Sequence, residues 1–143
     1  MIIVGGSGNA AAIVAAAGLS KAGDGAGDNR IQLVQNGGFG SDTLWTKTTW
    51  AIAAGVASIV AGTDTMTQAI AITPGVNYLV TFTVTAFTAG TVTAVLGGTS
   101  GTARGSAATF AEVIKAGSAD NLIGFSADTA TLSIDNVTIL QMG

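Results

Sequence analysis

Tyr78-Leu79-Val80-Thr81-Phe82-Thr83-Val84-Thr85 reads as a half-buried β-strand. Tyr78, Val80, Phe82 and Val84 hold one phase of a two-residue period and are all apolar. The other phase is threonine, with Leu79 as its single exception. A strand sends alternate side chains to opposite faces, so this pattern sets one face on a core and the other in water. The same period continues along the chain. Val92, Ala94 and Leu96 alternate with Thr91, Thr93 and Val95, and Ile123 and Phe125 form another inward pair. Farther on, Leu132 and Ile134 keep one phase while Val137 and Ile139 keep the opposite one. That slip at Asp135-Asn136 predicts a bulge or bend, where one extra residue resets which side chains face inward.

Turn residues separate these runs: Asn36-Gly37-Gly38, Ala61-Gly62-Thr63, Thr73-Pro74-Gly75-Val76, Ala89-Gly90, Gly97 to Gly101 and Lys115 to Ser118. Short strands with turns at this spacing predict an all-β, antiparallel β-sandwich of about eight or nine strands over residues 31–143. Residues 1–30 differ. They hold no aromatic, and Lys21 to Asn29 is a Gly-rich connector. The Ala10–Leu19 piece suits one short helix, which alone in water is marginal. The segment therefore reads as an arm held by a neighbouring subunit, with Ile2, Ile3, Val4, Ile13, Val14 and Leu19 supplying the docking contacts. Burial of those side chains would offset the entropy lost on ordering the arm.

Composition narrows the function. The chain has 143 residues, which suits one domain. It contains no Cys and no His, so disulfides, thiolate metal sites and the commonest general base are excluded. Five Lys or Arg against eight Asp or Glu leave a net charge of −3, which argues against nucleic acid as a partner. Charged residues make up only 9%, where soluble domains carry about 25%. Much of the surface is therefore expected to be covered by partners or coated with Thr, Ser and Gly, and a homo-oligomer is expected. No run reaches the ~18 apolar residues of a membrane span. Ala10–Leu19 lacks a preceding basic region, so neither a targeting segment nor a membrane partner is expected.

Two motifs mislead. Gly6-Ser7-Gly8-Asn9-Ala10-Ala11 follows an apolar run and imitates a dinucleotide fingerprint. The second parallel strand and its acidic residue are missing; a Gly-Asp linker stands in their place. Gly97 to Arg104 is rich in Gly and hydroxyls but has no Gly-Lys-Ser/Thr, so it reads as a loop rather than a phosphate cradle. Lys47 and Lys115 are the only lysines of the β-region, and neither shares a motif with a serine. Of the acids Asp42, Asp64, Glu112, Asp120, Asp128 and Asp135, most fall in turn-like stretches. The expectation is no catalytic residue, no cofactor and no enzyme.

Asp135 stands apart, because it interrupts an apolar strand and needs a partner there. Either a structural calcium ion or backbone N–H groups at the bulge would satisfy it. Trp45, Trp50 and Tyr78 are the aromatics suited to stacking on sugars. Trp50, beside Ala51-Ile52, reads as core. Trp45, within Asp42-Thr43-Leu44-Trp45-Thr46-Lys47, is the better candidate for an exposed glycan platform. Phe82, Phe110 and Phe125 sit in strand patterns and read as buried.

Taken in order, Asn36-Gly37-Gly38-Phe39, Trp45, Trp50, Gln68, Ile72-Thr73-Pro74-Gly75, Tyr78-Leu79-Val80-Thr81-Phe82, Gly90-Thr91-Val92, Leu96-Gly97-Gly98-Thr99-Ser100-Gly101 and Ser133-Ile134-Asp135-Asn136-Val137 resemble carbohydrate-binding-module-like jelly rolls. More narrowly, they resemble the versions that recur in tailed-bacteriophage virion proteins. The resemblance spans roughly residues 31–140 and leaves out the arm. It implies a jelly-roll β-sandwich used as a decoration or accessory module, and it gives Asp135 the position of a possible structural calcium ligand. The function expected is a non-enzymatic virion structural protein: a capsid decoration or accessory subunit docked through its arm on the major capsid protein or a neighbouring subunit. A glycan-binding adhesin module, using Trp45 on a host glycan, is the alternative. A plain oligomerisation or stalk module is the third.

Overall fold

The computed structural model describes residues 32–142. They are all β, with no helix, and every strand pairing is antiparallel. The strands are β1 (Ala51–Ala53), β2 (Val56–Gly62), β3 (Thr65–Ala69), β4 (Asn77–Leu96), β5 (Thr99–Ser100), β6 (Thr109–Lys115) and β7 (Leu122–Gln141). Two of them, β4 and β7, run for 20 residues each. They pair with one another from Tyr78 opposite Gln141 to Leu96 opposite Ile123.

That long ladder is interrupted by register shifts within Thr81–Thr83, Val84–Ala86 and Phe87–Thr91 of β4. The shifts divide each long strand into two legs. The first leg of β4 and the second of β7 lie side by side, flanked by β6 on one side; on the other, Leu33 and Gly37 bond to Ile139 and Val137, and β2, with β1 beyond it, pairs with β7 over Ala130–Ile134. The remaining legs lie between β3 and β5. Phe82 of one leg pair meets Phe125 of the other edge to face, with ring centroids 5.1 Å apart. The ladder thus folds its own two halves onto a shared core. The strands number seven rather than the eight or nine that the turn pattern predicts, because β4 and β7 each run on through a bend where two strands were expected.

The alternation in the sequence is the alternation of burial. Tyr78, Val80, Phe82 and Val84 are buried, and so are Val92, Ala94, Leu96, Ile123 and Phe125. The phase slip at Asp135-Asn136 is a bulge. Thr81 faces Thr138, but Thr83 faces Asp135, and Asn136 takes a left-handed φ of 54°. The extra residue keeps both Leu132-Ile134 and Val137-Ile139 on the core side.

Ala89-Gly90 is not the turn its residues suggest. It lies inside β4, where Gly90 has φ 79° and packs against the backbone of Asp128 to Ala130. The chain bends there without reversing, and glycine serves close backbone approach. Ala54-Gly55 is the tight turn the sequence conceals. With φ of 54° and 79° it joins β1 to β2 in a two-residue hairpin. An alanine in the first position hides that signal.

Candidate functional site

Trp45 is inside the protein, 7% exposed, so the open platform expected of it is corrected. Its ring lies 5.6 Å from that of Phe39 and 6.1 Å from that of Phe125, and Nε1 donates to the Asn36 carbonyl at 3.1 Å. The cause is the loop before it. Asn36 Nδ2 donates to the carbonyls of Ser41 and Thr43, while Phe39 and Leu44 take left-handed φ values of 51° and 72°. The backbone so folded turns Trp45 inward and leaves Leu44 58% exposed beside it. The polar neighbours that suggested exposure satisfy one another instead: Lys47 Nζ lies 2.6 Å from Asp42 Oδ1. Trp50 is core, as its apolar neighbours predict, and its Nε1 donates to the Asp64 carbonyl at 3.1 Å.

Asp135 lies opposite Thr83 at the bulge and is half-buried. Its Oδ1 accepts the Asn136 N–H at 2.7 Å, the backbone partner foreseen for it. Among the described residues, no three of Asp, Glu, Cys or His gather to hold a metal ion. The docking residues Ile2, Ile3, Val4, Ile13, Val14 and Leu19 lie outside the described residues.

Among the described residues, β6 pairs with β4 alone. Phe110, Glu112 and Ile114 alternate with Thr109, Ala111, Val113 and Lys115 along it. The first set stands opposite Phe82, Val80 and Tyr78, whose side chains face the core. Glu112 is therefore a carboxylate on the inner face at a sheet margin. Arg104 reaches it from the β5–β6 connection, with Nη2 3.4 Å from Glu112 Oε2. The Arg104 backbone is itself fastened by two hydrogen bonds to Val92 of β4. Its guanidinium lies over the Phe110 ring, 4.8 Å from the centroid, and Nε is buried without a hydrogen-bond partner. Thr102 N–H donates to both carboxylate oxygens, at 3.0 and 3.3 Å. Gly101 allows that approach, because a Cβ there would meet the Glu112 carboxylate. With both oxygens engaged, Glu112 ties the 101–108 connection to β6. No sequence motif announces this cluster, because its members are brought together by the β4–β6 pairing.

A second carboxylate has a comparable anchoring role. Asp64 Oδ2 accepts the N–H groups of Thr49 at 2.7 Å and Thr48 at 3.1 Å. The Thr49 N–H is the leading cause of a pKa held below the ordinary aspartate value; partial burial opposes it.

No protein-family model matches the sequence, and no curated protein matches it. The fold does have a solved counterpart, the enzymatically active domain of tailspike protein 4 from bacteriophage CBA120. The two align with a TM-score of 0.52 and 20% identity, over 78% of this chain and 22% of that one. This chain thus spans about a fifth of its counterpart's length. The counterpart overturns the exclusion of an enzyme drawn from composition. A β-architecture of this build occurs within an enzymatically active domain, so the fold does not rule catalysis out.

Proposed function

We propose that the chain is a β-sandwich module of a tailed-bacteriophage virion, a decoration or accessory subunit held on the particle through residues 1–30. The observation that supports this most is the alignment of most of the chain with a fraction of a phage tailspike protein. Such a module serves as an attached unit in a larger assembly. The low charge and the Thr-coated outer faces fit a surface that lies against other proteins. In this reading the sandwich is a carbohydrate-binding-module-like jelly roll, and Ile2, Ile3 and Val4 lead the docking contacts on the major capsid protein or a neighbouring subunit. A glycan platform at Trp45 is not part of the proposal, because that ring is buried.

Co-sedimentation of the full-length protein with empty phage particles tests this reading. A form with Ile2, Ile3 and Val4 all changed to Asp is run in parallel. Pelleting by the unaltered chain and loss of it in the triple variant is the expected result. Pelleting that survives all three changes would remove the arm from the docking role. No pelleting by the unaltered chain would remove the capsid as its partner.

A further inference from the structure

We infer that β6 is a self-association edge, pairing antiparallel with β6 of a second copy about a two-fold axis at Val113. This inference does not rest on the docking role proposed for residues 1–30.

An open sheet edge presents unpaired N–H and C=O groups, and proteins blunt such edges by shortness, bulges, proline or a covering segment. Among the described residues, three of the four edges are treated in this way. β1 is three residues long. β5 is two residues long, and its line is continued by the bridge between Arg104 and Val92. β3 is bridged by Thr46, whose N–H and C=O both bond to Thr67. β6 differs. It runs for seven residues without proline, in unbroken register from Asn77–Lys115 to Thr83–Thr109.

The direction of its free groups follows from the ladder. Ala116 N–H bonds to the Val76 carbonyl, and Val84 N–H to the Ala108 carbonyl. Bonded pairs in an antiparallel ladder recur every second residue. Phe110, Glu112 and Ile114 therefore bond to β4, while Thr109, Ala111, Val113 and Lys115 turn their N–H and C=O groups outward. An inward charge on an edge strand ordinarily guards it. Here the charge of Glu112 is already matched by Arg104 and Thr102 of the same chain.

The outer face says what occupies the edge. Leu79, the exception in the threonine phase, stands opposite Val113 on one side and Leu140 on the other. These three side chains form an apolar stripe across β7, β4 and β6 that runs off the edge at Val113, left open among the described residues and with Val113 52% exposed. A two-fold axis at Val113 sets that residue against its own counterpart and Ala111 against Lys115 of the second copy. The stripe then continues across both copies, from Leu140 through the paired valines to Leu140 of the second copy. A stripe that ends at an edge and completes itself under two-fold symmetry fits a second copy of this chain.

The chain contains no cysteine, which makes the test clean. Val113→Cys in the full-length protein is expected to give a disulfide-linked dimer on mild oxidation. Facing residues of a bonded pair lie about 5.5 Å apart between Cα atoms, within disulfide reach. Thr109→Cys is the register control. Eight residues separate it from its symmetry mate along the strand, about 27 Å, so it should stay monomeric on the gel. Val113→Lys places like charges face to face and is expected to weaken self-association in sedimentation velocity by about tenfold or more. Its thermal melt should stay near that of the unaltered protein, because Val113 is exposed and does not bond to β4. A protein that sediments as a monomer at every concentration overturns the inference. So does self-association untouched by Val113→Lys, or cross-linking as ready at Thr109→Cys as at Val113→Cys.

Discussion

The bends of β4 and β7 are made by the same device and were announced very differently. In β7, Asp135-Asn136 adds one residue, and Asn136 carries the left-handed turn at φ 54°. In β4, Gly90 carries it at φ 79°, opposite Thr129, which is itself left-handed at 47°. The first bend shifts the phase of a hydrophobic alternation and so leaves a mark on the sequence. The second falls where β4 leaves the core, with Thr85, Ala86, Thr88 and Ala89 all exposed, so no inward phase exists there to be shifted. Its glycine resembles a turn glycine. What distinguishes a bulge from a turn is whether the chain reverses, and that depends on the partner strand.

Deleting Asn136 is expected to be the most damaging change at either bend. A one-residue slip turns a whole strand segment over. Either Val137 and Ile139 or Leu132 and Ile134 would then face solvent, and all four are buried. Exposing two such side chains costs about 3–6 kcal/mol, a large part of the stability of an ordinary domain. Urea denaturation should show the deletion variant largely unfolded. A well-folded variant would mean that the bulge does not set the phase.

Gly90→Ala probes the other bend. A Cβ at position 90 would meet the backbone of Asp128, Thr129 and Ala130, and the φ of 79° is strained for alanine. Left-handed strain and overpacking together predict a loss of about 2–4 kcal/mol. The cost comes from close backbone approach, which Asn136 does not face on its exposed side of the sheet. Asn136→Gly should therefore be nearly neutral, and Asn136→Val should cost about 1–2 kcal/mol, from backbone strain alone. Equal losses for Gly90→Ala and Asn136→Val would show that φ, rather than space, governs both bends.

These bends mark how far the sequence could be read. The inward residues of β4 and β7 were legible, because burial on one face leaves a period of two. The bulge at Asp135 was legible for the same reason. Trp45 was misread, because its environment is set by Asn36, nine positions earlier, folding a loop through side chain-to-backbone bonds that have no period. The Arg104–Glu112 cluster was invisible for a related reason. It exists only because seven residues of β6 register against β4, and one-dimensional patterns do not specify strand partners. Leu79 was visible as an exception to the threonine phase. Its meaning needed the neighbours Val113 and Leu140 that the ladder supplies.

The mildest prediction separates the two bends by their response to acid. The bend at Gly90 and Thr129 is braced from the β2–β3 connection: Thr63 Oγ1 accepts the Thr129 N–H at 3.0 Å, and the Asp64 carbonyl accepts that of Ala127 at 2.9 Å. Asp64 is held in turn by the N–H groups of Thr49 and Thr48 on its carboxylate, which depress its pKa in the folded protein. A carboxylate whose folded pKa lies below its unfolded value stabilises the fold at pH above the unfolded value. That contribution is lost as pH falls through the folded pKa. Stability should therefore decline on acidification below the ordinary aspartate range. Asp64→Asn should flatten this decline, because its side chain no longer changes charge. The effect is small, since Asp64 is only partly buried and solvent screens it. Amide exchange localises it: in the unaltered protein, protection at Ala127 and Thr129 should fall with acid before protection at Val137. An acid response that begins at Val137 would place the weaker bend at Asp135 instead, and the bracing of the Gly90 bend would then not depend on the Asp64 charge.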